Sequence, residues 1–474
     1  MSSNEKTFTE KSSDSKNEKP EKTQSKPESA VSEKPEPKQT ESKQPSKNGL
    51  KKFLFVSNEA LIGDLAWQVK KEGHEVLYYI HDQDQKDVGD GFVPKCDNWQ
   101  AHKEWADVIV FDDIGFGDIA DKLRKEGKLV VGGSDYTDKL EDDRDFGQDE
   151  MKKFGMNTLP KWNFTDFDEG IAFIKENPGR YVLKPSGKAQ DEKELLFIGE
   201  EEDGKDVLQV LEHYKKTWSK KIKVFLLQKH VAGVEVAIGG FFNGNDFILP
   251  VHINFEHKRM FPGDIGPSTG EMGTSAFWSE PNTMFKETLA HMKDALAQAK
   301  YVGYIDINTI ANSRGIYPLE FTSRFGYPTI SLQIEGITSK MGEFLFNLAS
   351  GTQFRLQAKK GFQICVVVAV PPFPFDDPRA FKRYSEEAKI LFKKPNMEGI
   401  HPGDVKLVEE DWTLAGNSGY ALVITGSGST MEEARKQAYT RMKNIMLPNM
   451  FYRTDIGVRW YFDSDKLQTW GYLY

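Results

Sequence analysis

YVGYIDINTIANSRGIYPLEFTSRFG, residues 301–326, has the clearest secondary-structure pattern in the middle of the chain. Two runs rich in β-branched and aromatic residues flank Asn-Ser-Arg-Gly at 312–315. Asn and Gly tolerate positive φ, so this pattern predicts an antiparallel hairpin. Side chains alternate along a strand, which puts Glu320 and Thr322 on one face of the second strand. The hairpin is predicted to bring the carboxylates of Asp306 and Glu320 side by side.

Two interpretations of this carboxylate pair remain open. Magnesium takes oxygen ligands, usually one or two carboxylates together with phosphate oxygens and water. Asp306 and Glu320 are therefore suited to hold a divalent metal with a nucleotide triphosphate. Alternatively, they are solvent-facing strand residues with cations such as Arg324 nearby.

Composition restricts the class of protein. The chain has 474 residues, 38% of them hydrophobic, which is enough for two to four compact units with real cores. The formal charge of −9 argues against a nucleic-acid binder, which would carry a basic face. Only two cysteines occur, without metal-ligand spacing, and no apolar run approaches the length of a membrane span. These features predict a cytoplasmic protein with no membrane or nucleic-acid partner.

Residues 1–48 differ from the rest of the chain. They consist mainly of Lys, Glu, Ser, Pro, Thr and Gln, and large apolar residues are almost absent. Such a segment cannot bury enough surface to offset the entropy of ordering, so a disordered tail is predicted.

The fold class predicted for the region after Leu50 is α/β with a doubly wound parallel sheet. Strand patterns alternate with helical stretches, and ligands of such sheets normally bind at the carboxyl ends of the strands. The predicted strands are KKFLFVSN, HEVLYYI, ADVIVFD and KLVVGG, with helices near 63–72 and in DIADKLRKEG. The turn after the first strand has one glycine, so a dinucleotide fingerprint is absent, and the sequence contains no Walker-type phosphate loop.

A second α/β region follows a helical stretch that contains Arg144. The strand beginning at Tyr181 carries Lys184, which either holds nucleotide phosphates as a point charge or is a surface lysine. Two further strand patterns flank a hinge at 228–233, and the second carries Glu235. An adenine commonly sits against such a hinge; an ordinary strand pair is the alternative.

Residues 252–278 combine charged side chains with a glycine-rich loop. Glu256, His257, Lys258 and Arg259 are consecutive, and the loop after them contains glycines and hydroxyl residues. Such a loop can close its backbone N–H groups on an anionic ligand. A flexible surface loop is the alternative.

Three stretches carry a resemblance to a known family. They are EHKRMFPGDIGPSTGEMGT, LEFTSRFGYP, and NMFYRTDIG preceded by GYALVITGSGSTMEEARKQAY. In order and spacing, the chain from about Leu50 to Gly457 resembles the phosphoribosylamine–glycine ligases (glycinamide ribonucleotide synthetases) of the ATP-grasp superfamily.

The resemblance implies three folded parts after the tail. These are an N-terminal α/β domain (49–136), a two-lobed ATP-grasp unit (137–357, with its small lobe at about 161–231) and a C-terminal α+β domain (358–474). It also implies an ATP-dependent C–N ligase of purine biosynthesis that uses Mg²⁺ or Mn²⁺. The carboxylate of glycine would attack the γ-phosphate of ATP, and phosphoribosylamine would displace phosphate from the resulting acyl phosphate.

The resemblance assigns roles to residues of this chain. The catalytic residues it implies are Arg324 and Lys258, and the implied metal ligands are Asp306, Glu320 and Thr322. The implied ATP-binding residues are Arg144, Lys184, Gln228, His230 and Glu235. The implied substrate-binding residues are Ser268, Thr269, Gly270 and Gly273.

Several segments depart from the family pattern. The glycine-rich turn after the first strand is SNEALIGD (57–64), and a later turn is FDDIGFG (111–117). These segments are the ones expected to bind the phosphate of phosphoribosylamine. Thr322 replaces a metal-ligating Asn, and Arg144 replaces a phosphate-binding Lys, which preserves the charge but changes its geometry.

Three functions remain open from the sequence. The chain is a phosphoribosylamine–glycine ligase, an ATP-grasp ligase that uses a different amine or amino acid, or a catalytically weak nucleotide-binding scaffold. A monomer is expected. In the C-terminal part, Thr430 and Glu433 form a predicted capping box, and GSGST at 426–430 is interpreted as a strand-to-helix turn rather than a phosphate loop.

Overall fold

The computed structural model describes residues 49–186 and 195–474. The tail predicted for residues 1–48 lies outside the described residues. No helix in the described part of the chain is long and apolar enough to span a membrane.

The first folded region is a four-stranded parallel sheet in the order β2-β1-β3-β4. Its elements are β1 (Lys52–Ser57), α1 (Gly63–Lys71), β2 (Glu75–Ile80), β3 (Val108–Phe111), α2 (Gly117–Lys125) and β4 (Leu129–Val131). Alternate residues of β1 pack against α1 on one face and α2 on the other. Helices on both faces confirm the predicted doubly wound sheet.

Two helices lead out of this sheet, α3 (Asp135–Asp142) and α4 (Arg144–Lys153). The carboxylate of Asp143 accepts hydrogen bonds from the backbone N–H groups of Asp145 and Phe146, so it caps α4. Arg144 therefore lies in the first turn of α4.

A small lobe of four antiparallel strands comes next, in the order β5-β8-β6-β7. It comprises β5 (Lys161–Phe164), α5 (Phe167–Glu176), β6 (Tyr181–Ser186), β7 (Phe197–Ile198), α6 (Lys205–Thr217) and β8 (Val224–Lys229). Both helices pack on the sheet in a separate apolar core.

The rest of the chain is built around an eight-stranded antiparallel sheet. Up to residue 349 its elements are β9 (Val234–Asn243), β10 (Phe247–Glu256), β11 (Arg259–Phe261), β12 (Ile265–Ser268), β13 (Gly273–Ser279), α7 (Thr283–Glu287), α8 (Lys293–Gln298), β14 (Val302–Asn312), β15 (Gly315–Thr322), α9 (Thr329–Gly336) and α10 (Met341–Ala349). The later elements are β16 (Phe362–Ala369), α11 (Pro378–Tyr384), β17 (Leu391–Phe392), β18 (Ile400–Pro402), β19 (Val405–Val408), β20 (Asp411–Leu414), β21 (Tyr420–Gly428), α12 (Met431–Met442), β22 (Ile445–Met446) and α13 (Trp460–Thr469).

The strand order of the large sheet is β15-β14-β9-β10-β13-β16-β21-β18. Because β16 pairs with β13, the strands before residue 349 and those after it belong to one continuous sheet. α12 packs on β16 and β21, and its N-terminus carries the predicted capping box of Thr430 and Glu433. The chain then returns to the earlier strands, where Leu467 and Tyr472 enter their core.

The hairpin predicted at 301–326 is confirmed as β14 and β15. Gly315 opens β15 with a φ of +156°. The register sets Asp306 opposite Thr322 and Asn308 opposite Glu320, with an irregularity after Asn308. Asp306 and Glu320 are therefore diagonal neighbours rather than directly opposed. A register shifted by two residues would be needed to place them opposite each other.

A buried polar chain joins the first sheet to the large sheet. Asp64 Oδ2 in α1 lies 2.7 Å from His401 Nδ1 in β18. His401 Nε2 lies 3.1 Å from the hydroxyl of Thr425, which donates to Glu335 of α9. Each of these groups depends on a partner from a different element.

Replacing His401 by leucine should therefore lower the stability of the fold. The change leaves the buried Asp64 carboxylate without its imidazole partner, which costs about 3 kcal/mol. Thermal unfolding should show a clear drop in Tm. The matched control is His213→Leu on the exposed face of α6, where a shift near zero is expected; equal Tm values for the two variants would contradict the linking role.

Candidate active site

One face of the large sheet carries two rows of residues, six of which are polar. In register across neighbouring strands, the first row is Glu320, Asn308, Ala237, Asn254 and Ala276. The second row is Thr322, Asp306, Gly239, His252 and Trp278. Asp306 and Asn308 are two residues apart, so the rows share a face. A Cβ on Gly239 would lie 1.9 Å from the Tyr304 hydroxyl, so only glycine fits at the centre of the second row.

Lys258 lies at the centre of a cluster of three carboxylates. Its Nζ is 3.1 Å from Glu235 Oε1, 3.3 Å from Glu256 Oε2 and 3.8 Å from Glu320 Oε1. The Asn308 amide donates to Glu235 at 3.2 Å. These side chains come from β9, from β10 and the residues just after it, and from β14 and β15. The cluster therefore forms only when these four strands pair in the sheet.

The charges within this cluster shift one another's pKa values. Shielding from solvent lowers the pKa of Lys258, but the three carboxylates outweigh it and hold the pKa well above its ordinary value. Shielding raises the pKa of Glu320, yet Lys258, Lys184 and Arg144 bring it below normal. Glu256 keeps a raised pKa because shielding and the nearby Glu235 dominate. Glu320 is thus ionised and, with 47% of its side chain exposed, accessible to a ligand.

A narrow cavity lies where the small lobe faces α4 and β15. Its lining residues are Arg144, Gln148, Lys161, Lys184, Leu226, Gln228 and Leu319. The pKa of Lys184 is lowered to about 8: burial is the main cause, Arg144 and Lys258 contribute to the lowering, and Glu320 and Glu235 oppose it. The Arg144 guanidinium is held by the carbonyl of Pro185 at 2.9 Å. The structure thus brings Arg144, Lys184 and Gln228 together.

His230 and Glu235 lie outside that lining. His230 follows β8, and its backbone N–H donates to the carbonyl of Arg180 at 3.0 Å. Glu235 belongs to the Lys258 cluster, where Arg459 also donates to its backbone carbonyl at 3.2 Å.

Asp306 and Arg324 lie farther along the β14–β15 hairpin, on the side away from its turn. Asp306 is buried and its Oδ1 has no hydrogen-bond partner. Burial, with Glu256 and Glu141 nearby, raises its pKa well above the ordinary range. Arg324 Nε lies 3.0 Å from both Asp113 Oδ1 and Glu141 Oε1. Arg324 therefore ties the hairpin to the turn after β3 and to α3.

The loop from Ser268 to Gly273 is anchored to the residues around Lys258. Ser268 pairs with Arg259 in the β11–β12 hairpin. The N–H and hydroxyl of Thr269 donate to the Lys258 carbonyl at 2.8 and 2.9 Å, while Gly270 is exposed. Gly273 begins β13 with a φ of +151°, and a Cβ there would meet the Cys365 carbonyl at 2.5 Å.

A buried arginine connects the C-terminal part of the chain to the β11–β12 hairpin. Arg453 Nη1 lies 2.8 Å from Asp264 Oδ1, and Arg453 Nη2 lies 2.7 Å from Asp455 Oδ2. Asp455 also accepts from the backbone N–H of Gly263 at 3.0 Å. Arg453 and Asp455 thereby hold the turn between β11 and β12.

Sequence reasoning did not assign roles to several residues of the site. Glu256 ends β10 on the same face as Asn254, and strand alternation from Lys258 could have indicated it. Asn308 could have been found from the alternation that identified Asp306. Arg459, whose Nη1 donates to the Glu256 carbonyl at 3.0 Å, left no local signal because it lies about 200 residues later in the chain.

Two models of one family match the chain. The phosphoribosylglycinamide synthetase ATP-grasp (A) domain matches residues 142–330, and the C domain of the same family matches residues 363–459. Together they span more than half of the sequence. The first match contains both the Lys184 cavity and the Lys258 cluster.

Curated relatives agree with these matches. Phosphoribosylamine–glycine ligase of Streptococcus pneumoniae is 26% identical over 358 residues, covering 73% of this chain and 82% of that protein. The enzyme of the same name from Listeria monocytogenes is 26% identical over 370 residues, covering 75% and 85%.

Solved structures share the fold. The phosphoribosylamine–glycine ligase of Thermotoga maritima superposes with a TM-score of 0.63 at 22% identity, over 85% of this chain and 100% of that one. The biotin carboxylase domain of Hydrogenobacter thermophilus 2-oxoglutarate carboxylase, solved with MgADP, gives 0.60 at 13% identity, over 88% and 97%. The lobes, the hairpin and both family matches lead to one conclusion: the chain belongs to the phosphoribosylglycinamide synthetase family, with an ATP-grasp domain.

Proposed function

We propose that this chain is an ATP-dependent ligase that joins a carboxylate to an amine, with glycine and phosphoribosylamine as its substrates. The relatives are named for these two substrates. The observation that carries the proposal is the Lys258 cluster beside the cavity of Arg144, Lys184 and Gln228, all within the span of the ATP-grasp match.

The cavity residues suit ATP. Lys184 and Arg144 supply two positive charges where the small lobe meets β15, and phosphate oxygens are the ligands that such cations prefer. The adenine would lie against residues 228–230, where β8 ends and His230 follows it, and Glu235 would accept a hydrogen bond from the ribose of ATP. Lys258 and Arg324 would neutralise charge that develops on the transferred phosphoryl group.

The hairpin residues suit a magnesium ion. Among the described residues, no preformed group of three or more His, Cys, Asp or Glu side chains has the geometry of a metal site. However, Asp306 Oδ1 and Asn308 Oδ1 are buried acceptors without partners, and Glu320 is exposed beside them. Asp306, Glu320 and Thr322 therefore fit a hard cation whose remaining ligands are phosphate oxygens and water. Bound there, Mg²⁺ would neutralise charge on the phosphates.

The proposed reaction has two steps. A glycine carboxylate oxygen attacks the γ-phosphorus of ATP, and the bond to the departing ADP breaks. The amine nitrogen then attacks the acyl carbon, an amide bond forms, phosphate leaves and the amine loses a proton. The residues act by positioning and by charge neutralisation, so no protein nucleophile is needed.

One observation favours a second candidate, a ligase of this family that uses another amine. In the turn after β3, the Asp138 carboxylate accepts from the N–H groups of Gly115 at 2.9 Å and Gly117 at 2.7 Å. These are the backbone donors at the start of α2, and a helix N-terminus is where a substrate phosphate would bind. A protein carboxylate already occupies them.

The test is ADP release from ATP and glycine across a panel of amines. ADP formation that requires phosphoribosylamine supports the first candidate, and formation with a different amine alone supports the second. ATP binding without turnover on the whole panel would contradict both and leave the scaffold.

Lys184 makes ATP binding dependent on pH. Its pKa of about 8 means that the charged form is lost above that pH, while bound phosphates would raise the pKa. We expect the Kd for ATP to be constant below about pH 8 and to rise about tenfold per pH unit above it, which means weaker binding. Calorimetric titration from about pH 7 to about pH 9.5 checks this. Lys184→Met should bind weakly with a flat profile; the same slope in both proteins would contradict the assignment.

A further inference from the structure

Glu271 is a buried carboxylate with an unused oxygen in the loop before β13. It is 7% exposed, and its Oε1 has no hydrogen-bond partner. Met272, the residue after Glu271, is fixed to the sheet on both its backbone groups. The N–H of Met272 donates to the His257 carbonyl at 2.8 Å, and that of Val367 donates to the Met272 carbonyl at 3.0 Å. The position of Glu271 is thus set by the framework.

Other unpaired polar groups lie on the sheet face beside it. Asn254 is fully buried and neither its Oδ1 nor its Nδ2 has a partner. The Thr274 hydroxyl is likewise buried without a partner, and Thr274 lies opposite Glu256 in the register. Asn254 is two residues from Glu256, so both share the face on which Thr274 lies. Buried groups of this kind are normally paired, which marks the place as one completed by a ligand.

Other carboxyl groups lie near Glu271. Burial raises its pKa well above normal, and Glu256 and Asp306 lie close enough to raise it further. Lys258 opposes this shift, but it is already engaged by its own three carboxylates. The unused oxygens of Glu271 and Asn254 both require N–H or O–H donors. A compact ammonium group supplies three donors and a positive charge.

We propose that Glu271 binds the ammonium group of the amino-acid substrate. This inference rests on the proposed ligase function and deepens it. Glu271 would then select an amino acid over a carboxylic acid of the same size that lacks the amino group.

The experiment compares glycine with glycolate, in which a hydroxyl replaces the ammonium. Hydroxylamine replaces the second substrate: its nitrogen attacks the acyl phosphate, phosphate leaves and a hydroxamate forms. Wild-type protein should prefer glycine strongly. In Glu271→Gln, the KM for glycine should rise about 10- to 100-fold, the range expected for losing a hydrogen bond to a charged group. The KM for ATP and the use of glycolate should change less than about twofold.

Matched controls separate recognition from folding. Glu280→Gln changes an exposed glutamate just after β13, which pairs with Arg355 at the surface, and should leave every constant unchanged. The Tm of Glu271→Gln should equal or exceed that of the wild type, since an amide is easier to bury than a carboxylate. An unchanged KM for glycine and an unchanged glycine preference in Glu271→Gln would overturn the proposal.

Direct binding distinguishes failure of this inference from failure of the proposed function. If wild-type protein forms no hydroxamate with glycine, and no ADP with glycine and any amine of the panel including phosphoribosylamine, the ligase function fails. Calorimetric titration of glycine into wild-type protein and Glu271→Gln then decides. Binding that weakens about tenfold or more in the variant supports the ammonium site, and absent or equal binding overturns it.

Discussion

Replacing Glu320 by alanine is expected to abolish ATP turnover, with a loss of about 1,000-fold or more. Glu320 is the exposed carboxylate of the cluster and faces the cations Lys184, Arg144 and Lys258. Without it, the hairpin loses its most accessible oxygen ligand, and Lys184 loses an opposing charge. Phosphate positioning and charge neutralisation then fail together.

Two measurements check this expectation. ADP release reports turnover, and calorimetric titration with ATP in the presence and absence of magnesium reports the contribution of the ion to binding. The wild type should show a magnesium-dependent affinity that Glu320→Ala lacks. Glu343→Ala, on the exposed face of α10, is the matched control and should behave as the wild type. Retained turnover in Glu320→Ala would refute the assignment of the hairpin to ATP chemistry.

Lys258→Met is expected to lower turnover by at least about 100-fold. The change removes the cation between Glu235, Glu256 and Glu320, so three carboxylates remain at short range without their shared partner. Repulsion among them raises their pKa values and displaces them from the positions needed for phosphate binding.

A second substitution separates electrostatic strain from catalysis. Lys258→Met combined with Glu256→Gln removes one of the competing charges, so thermal unfolding should show Tm partly restored relative to Lys258→Met alone. Turnover should stay low in the double variant, because the cation is still missing. If turnover recovers together with Tm, Lys258 is structural rather than catalytic.

The secondary structure near the site could be predicted from local pattern. The hairpin at 301–326, the strand with Lys184 and the capping box at Thr430 all follow from turn residues, alternation or a fixed three-residue spacing. Each of these signals is local because the interactions behind it join residues close together in the chain. The doubly wound first sheet also follows from alternation of strands and helices.

The composition of the site could be predicted only in part. The sequence predicts functional roles for Lys258 and Glu320, yet their separation of 3.8 Å depends on four neighbouring strands of the sheet. Glu256, Arg459 and Glu271 were not assigned roles. Local alternation could have indicated Glu256, but the positions of Arg459 and Glu271 relative to the site depend on contacts between distant segments, for which the local pattern has no signal.

Alternation, turn chemistry and capping act over a few residues, so the strands and helices near the site could be predicted from the amino-acid sequence. The assembled sheet was needed to show that Asp306 opposes Thr322 rather than Glu320, and that Lys258 contacts three carboxylates at once. Strand register and strand order come from the packing of the whole sheet, where a shift of two residues keeps the same face but changes every partner.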